Sequence, residues 1–404
     1  SGWRSSRLQD IFRIQTFWER RARQQENSRG RTNGTPIADT ADHPMPVKVA
    51  LVQSPSVLGD VQTNVSRLER QCRLAAAGGA KIIILPETSV TGYLGEDLKT
   101  NWHLPGRPLG HQYTSTIDPR PYAEEMDGPS VAHFSALAAE LGCYITVPFI
   151  EIDAATQCLY NALSLVSPAG GAAVAHYRKN CPWPDPERSW ATPANDVNGA
   201  CHDTPYGRVG LAICFDIHTI LAKYAEHDLW ALLYPIAWVG DTDLWFRKLL
   251  PHKLHGVNCP HYILGANWAT RAPPAWDGAG SSIVYGPRGE VLAAAPSGWQ
   301  EHLVLTEIPT QGEMASGLGR LDLAAYSAWT ADQSGTTYWH TDNVGPLSFA
   351  HDMRAMHERA IDASETDADF LRRTRAEQPW LRVSSERSAA RGSTQRVLRD
   401  PATT

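Results

Sequence analysis

No apolar stretch of the 404-residue chain approaches the ~20 residues that a membrane-spanning helix needs, so no membrane partner is expected. Positive charge is not in excess either: a net charge of -6 gives no footprint for nucleic acid or an anionic surface. Glycine-rich phosphate loops of the GxGxxG or Walker type are missing. The seven cysteines contain no CxxC pair and no Cys/His cluster at zinc spacing, so neither a metal nor a cofactor is expected. Their odd number in a chain of this size argues for reduced cytoplasmic thiols rather than a disulfide framework. A Cys181–Cys201 bridge is the one pairing left open. There is no internal repeat. What is present, 42% hydrophobic and 20% charged residues, describes a globular protein of one large domain or two ordinary ones.

The ends differ from the middle. Residues 1–45 open without methionine, and "RLQDIFRIQTFWERRAR" has amphipathic spacing through Leu8, Ile11, Phe12 and Trp18. A polar, linker-like stretch follows, so 1–45 is expected to be an arm that packs on another subunit or stays mobile. The tail from about 375 offers little apolar surface to offset its ordering entropy. Between the ends, strands are expected at "VKVALVQ" (47–53), "KIIILPE" (81–87), "CYITVPFIE" (143–151), 159–166, 171–178, "RVGLAICF" (208–215), "LWALLYPIA" (229–237) and "HYILGAN" (261–267). Helices are expected at 60–80, 130–141, 218–227 and 242–257, and "SSIVYGPRGEVLAAA" reads as strand, turn, strand. In 60–80 the apolar positions Val65, Leu68, Cys72, Leu74 and Ala75 mark a buried face, and glycines stop the helix. The alternation argues for an α/β protein with helices covering sheet faces.

The informative anomaly is charge at the carboxyl ends of buried strands, where ligand and catalytic groups collect in α/β sheets. Glu87 closes "KIIILPE", Lys179 closes "AAVAHYRK", and Cys214 closes "RVGLAIC". Taken singly, a free cysteine is most often a small core hydrophobe, and a strand-end charge is most often solvated. Glu, Lys and Cys at three such ends, in that order, is a pattern chance seldom produces.

These residues resemble a family. "ILPETSVTGY", "HYRKN" and "GLAICFD" look like the three signature blocks of the nitrilase superfamily, the carbon–nitrogen hydrolases, with "YPIAW" and "GAN" after them. The resemblance runs from about Val47 to Ile308. It implies an α-β-β-α sandwich of the nitrilase type over residues 46–312, a homodimer or higher homo-oligomer, and a C-terminal extension (313–404) that wraps a partner subunit. That extension holds a further expected helix, "FAHDMRAMHERAIDA".

By the same likeness the family's Glu–Lys–Cys triad carries over onto Glu87, Lys179 and Cys214. The chemistry fits: a thiol is mostly protonated at neutral pH and needs a base or a nearby cation. Glu87 can take that proton and return it to the leaving amine, while Lys179 and the backbone N–H of Phe215 face the developing oxyanion. Many members carry a second glutamate after the lysine. Glu187 in "KNCPWPDPERSW" is the candidate, with Asp185 as the local alternative. Tyr93 would support the catalytic glutamate by a hydrogen bond. Tyr93, Phe215, Trp238 and Asn267 are the candidate substrate-binding residues, and Trp183, Trp190, Trp245, Phe246 and Trp268 are expected in or near loops that border the site, as a hydrophobic pocket or as core.

"CFD" after the strand sides with amide-cleaving branches, since nitrilases tend to show Cys-Trp-Glu. "DTPYGRVGLAICFDI" and "LLYPIAWVG" are most similar to the biotinidase and vanin branch, although "PETSVTGY" follows the general amidase form. The expected substrate is therefore a small-molecule amide. A nitrilase, an amide synthase or acyltransferase using the same triad, and a non-catalytic assembly subunit remain as alternatives. Iodoacetamide should modify Cys214 ahead of the other six cysteines, and Cys214→Ala should abolish turnover with the fold intact. Peptide mapping and circular dichroism check both, and an active Cys214→Ala variant would overturn the nucleophile.

Overall fold

The computed structural model describes residues 46–95, 117–183, 187, 190–238, 242–272, 276–314 and 318–332. The arm at 1–45, Asp185, the helix expected at "FAHDMRAMHERAIDA" and the tail from 375 lie outside the described residues.

Two six-stranded sheets are stacked. The first runs β14-β1-β2-β3-β4-β5, with β1 Val47–Gln53, β2 Ile82–Ile84, β3 Tyr144–Ile152, β4 Leu159–Val166, β5 Ala175–Arg178 and β14 His302–Ile308. The second runs β13-β12-β9-β8-β7-β6, with β6 Cys201–Thr204, β7 Gly207–Leu211, β8 Ala231–Ile236, β9 Tyr262–Asn267, β12 Ile283–Tyr285 and β13 Val291–Ala294. A two-stranded ribbon, β10 (Arg271–Ala272) with β11 (Trp276–Asp277), stands apart.

Both sheets have one plan. Three parallel strands, β1-β2-β3 and β7-β8-β9, are flanked by antiparallel neighbours. The sequence shows no repeat, yet the topology does.

Alternation along the strands builds the layers, because successive side chains point to opposite faces. Val49 and Leu51 on β1, with Ile82 and Ile84 on β2, join Leu211, Leu233 and Leu264 in the core between the sheets. Ala50, Val52 and Ile83 face the other way, against helices α1 (Val61–Ala77) and α2 (Pro129–Leu141) through Leu68, Cys72, Phe134 and Leu137. Asp60 starts α1 by accepting the Thr63 N–H. Gly142, at φ 67, ends α2 in the left-handed conformation that glycine adopts without penalty. The second sheet is covered by α3 (Ile220–Lys223) and by a run comprising α4 (Thr242–Leu244), a π-helical segment (Trp245–Leu249) and α5 (Leu250–Gly256). The result is the expected α-β-β-α sandwich.

Several expectations are corrected. Leu74 is 52% exposed, and the buried face of α1 is Asn64, Leu68, Gln71, Cys72 and Ala75. The strand expected at 208–215 stops at Leu211 and the helix at 218–227 contracts to α3, because a 3-10 turn, Cys214–His218, occupies the junction. No bridge joins Cys181 to Cys201.

In the described part of the extension, α6 (Leu323–Asp332) packs on its own chain. Its Tyr326 is fully buried, donating to the Ile217 carbonyl at 2.8 Å and accepting the Leu221 N–H at 3.3 Å. Tyr326→Phe keeps the ring but strips both groups of that hydroxyl. Stability should fall by about 1–3 kcal/mol, the cost of leaving buried polar groups unsatisfied. A lower urea midpoint at unchanged slope is the expected reading.

Candidate active site

Parallel strands of both sheets end on the same side, and backbone bonds stitch those ends together. The Glu87 N–H reaches the Ile236 carbonyl at the end of β8, and the Ala269 N–H beyond β9 reaches Ser54 beyond β1. The three reactive residues arise at these ends. Glu87 follows β2 after Leu85 and Pro86, with Leu85 N–H held by Thr146 Oγ1 at 2.9 Å. Lys179 extends β5 by one residue, its N–H still on the Asn161 carbonyl of β4 at 2.8 Å. Cys214 lies three residues past β7.

Cys214 has φ 45, and Thr88, next to Glu87, has φ 48. Such conformations cost a non-glycine residue roughly 1–2 kcal/mol and persist only where the surroundings over-determine them. At Cys214 those surroundings are visible. The Tyr234 hydroxyl donates to its carbonyl at 2.5 Å. Asp216 Oδ2 accepts the Ile213 N–H at 3.0 Å and the Tyr177 hydroxyl at 2.8 Å, and Oδ1 accepts the Cys181 N–H at 2.7 Å. The Cys214 turn is therefore tied to the loop that follows Lys179.

The centre of the site is an ion cluster with no side-chain exposure. Lys179 Nζ donates to Glu87 Oε1 at 2.7 Å and to Glu187 Oε2 at 2.6 Å. Asn161 Nδ2 donates to Glu87 Oε1 at 2.8 Å and to Glu187 Oε1 at 2.5 Å. Glu87 Oε2 is buried with no hydrogen-bond partner among the described residues by strict geometry, and the Cys214 thiol stands beside this carboxyl. The Ala237 N–H points at the sulfur.

Burial raises Glu87 to about 7; Lys179 opposes the rise and Glu187 adds to it. Burial also opposes the charge on Lys179, but the carboxylates of Glu187 and Glu87 outweigh it and hold the ammonium well above its ordinary range. The Cys214 thiol is raised well above 9 by burial and by Glu87, with Lys179 pulling against them. The resting site thus holds a thiol beside a carboxyl poised near neutrality. That is the condition for a proton to move between them only as the sulfur attacks.

A small apolar cluster adjoins the ions: Tyr93, Ala237 and Trp268, with half-buried Leu58 and Trp183. Tyr93 does support a glutamate: its hydroxyl engages Glu187, and it lies near Glu87 as well. The Trp183 N–H also donates to Glu187. Asn267 is placed differently from the expectation of a substrate contact. Fully buried, it accepts the N–H groups of Trp238 and Trp268 and donates to the Gly280 carbonyl at 2.5 Å, so it shapes the wall from behind. Trp238 stacks on Trp245 at 4.8 Å and meets Phe246 edge-on at 5.5 Å. Trp245, Phe246 and Trp190 are core residues, buried beneath or beside the site. Phe215 packs edge-on to His218 at 4.8 Å, and burial drives His218 down to about 3, so that ring is neutral.

Two residues escaped the sequence reading. Asn161 left one signal, a polar side chain inside the apolar run "LYNALSLV". Asp216 was weighed only as a branch marker, whereas its carboxylate serves as a bracket.

A buried thiol, a buried carboxyl and a buried ammonium thus meet on a doubled α/β sandwich. The carbon–nitrogen hydrolase family model matches residues 48–314, and the chain belongs to that family. It is 30% identical to the omega-amidase NIT2 of Homo sapiens over 61% of this chain and 82% of that one. It is 28% identical to an aliphatic nitrilase of Sinorhizobium fredii over 61% and 81%. Among solved structures, Saccharomyces cerevisiae Nit3, a member of branch 10 of the nitrilase superfamily, matches at 23% identity with TM-score 0.53, over 73% of this chain and 96% of that one. The amidase from Nesterenkonia sp. AN1 matches at 17% with TM-score 0.53, over 65% and 91%.

Asp216→Asn tests the bracket. An amide can accept only part of what three donors deliver to the carboxylate. The nucleophile turn should shift, with kcat falling by about 100-fold, as roughly 1 Å of misplacement does elsewhere. Steady-state kinetics check this, and wild-type kcat in Asp216→Asn would overturn the role.

Proposed function

We propose that the protein hydrolyses a linear, non-peptide amide through a thioester on Cys214. The observation that carries this reading is the fully buried Glu87–Lys179–Glu187 cluster with the Cys214 thiol beside Glu87. Sγ attacks the carbonyl carbon as Glu87 takes the thiol proton. The electron pair moves to the carbonyl oxygen, where Lys179 and the Phe215 N–H stabilise it. Two of the three Lys179 N–H bonds are held by carboxylates, which aims the third. Collapse of the intermediate breaks the carbon–nitrogen bond, and Glu87 hands its proton to the departing ammonia or amine. Water then attacks the thioester with Glu87 as base, releasing the acid and the thiol. Glu187 positions Lys179 and, with Tyr93, the substrate or water. The cluster of Tyr93, Trp183, Ala237 and Trp268 supports an apolar acyl group.

We further infer a cytoplasmic homodimer or higher homo-oligomer. No helix among the described residues is long and apolar enough to cross a membrane. A second reading, nitrile hydrolysis on the same triad, is favoured by the similarity to an aliphatic nitrilase.

Two measurements test the proposal. Glu87 must be ionised to accept the thiol proton, so kcat/KM should rise with pH through about 7 and fall below it, and Glu87→Gln should lose activity at every pH. With an amide and a nitrile sharing one acyl group, the amide should be preferred by ~100-fold or more, about 2.7 kcal/mol in transition-state binding. An amide delivers its oxyanion directly to Lys179, whereas a nitrile gives a thioimidate that must first be protonated and hydrated. Preference for the nitrile would replace the amide reading with the second one.

A further inference from the structure

Asn161 lies in the middle of β4, fully buried, and no step of the proposed reaction uses it. Its Nδ2 nevertheless touches both carboxylates of the site, on the Oε1 atom of each. Lys179 meets the same Glu87 oxygen but the opposite oxygen of Glu187. Glu87 Oε1 thus receives two donors, while Oε2 receives none among the described residues under strict hydrogen-bond geometry. Glu187 receives Asn161 on Oε1, and Lys179 with the Trp183 N–H on Oε2.

We infer that Asn161 is a positioning residue that divides Glu87 into a bound oxygen and a working oxygen: its carboxamide pins Oε1, links it to Glu187, and so reserves Oε2 for the proton of Cys214. The inference rests on Glu87 acting as the base. Its logic is electrostatic. Two carboxylates share one ammonium in a site closed to water, where hydrogen bonds to the charged form are what keep a buried acid ionisable. A second cation would hold Glu87 as a permanent carboxylate, unable to take and return a proton. A neutral N–H donor stabilises the anion without adding charge. The titratable groups facing Glu87 are Lys179, Glu187, Cys214, Tyr93 and Tyr234. Asn161 is an uncharged donor set among them.

The test follows Cys214 carbamidomethylation by iodoacetamide as a function of pH, read by mass spectrometry, which needs no substrate. In the wild type, labelling should rise as Glu87 ionises, and Glu87→Gln should lose that midpoint. If Glu87→Gln labels like the wild type, the base reading fails, whatever Asn161 does. Given that midpoint, Asn161→Leu should move it up by about one pH unit, the scale of one lost charge-assisted hydrogen bond. Asn161→Asp, nearly identical in shape, should move it up as well, because its side chain either adds a third negative charge or offers one proton where two bonds existed. Circular dichroism shows which variants fold, and if Asn161→Leu does not, Asn161→Asp decides alone. A folded variant that keeps the wild-type midpoint overturns the positioning role.

Discussion

A lysine ammonium without side-chain exposure, held between two carboxylates, is the constraint on which the site depends. Ions removed from water are tolerated only when geometry is good and their remaining donors and acceptors are engaged. Removing one partner of such a pair costs about 3–5 kcal/mol elsewhere, because it strands the other charge. Here Lys179, Glu87, Glu187 and Asn161 all come from the first sheet and the loops at its strand ends. The charged apparatus is therefore assembled within one half of the sandwich.

Cys214 comes from the other half, so the two sheets must be locked in register at their strand ends. Backbone bonds from Glu87 to Ile236 and from Ala269 to Ser54 do this locally. Asp216 does it most directly, joining the turn of Cys214 to Tyr177 and to Cys181, two residues past Lys179. A strained backbone at Cys214 is sustainable in that setting, since Tyr234 on one side and Tyr326 of α6 on the other hold the turn through its carbonyls. Burial then acts on all three reactive groups at once. It lifts the thiol and the Glu87 carboxyl together, which keeps the proton on sulfur in the resting site.

The core strands were legible because their apolar runs are long and uninterrupted, and Ile82–Ile84 and Ala231–Ile236 sit inside the expected segments. Boundaries near the site were not. The run "RVGLAICF" reads as one strand, but the chain leaves the sheet at Leu211 because Cys214 must turn into a left-handed conformation, and hydrophobicity carries no mark of that. Leu74 was misassigned for a related reason: it lies beside Ala75 and Cys72 in sequence, but the helix turns it toward solvent.

By itself the sequence determined the layers, through the period-2 and helical spacing of apolar residues, and it singled out Glu87, Lys179 and Cys214, through charge and thiol at strand ends where packing has no use for them; the three side chains do meet. Partnership was decided only by the tertiary structure. Tyr93 reaches Glu187, Asn267 the backbone of Trp238, Asn161 two carboxylates at once, and Tyr326 of the extension the Cys214–His218 turn. A hydrogen bond depends on where two groups meet to within a fraction of an ångström. These pairs are brought together by sheet stacking, and spacing along the chain carries no record of it.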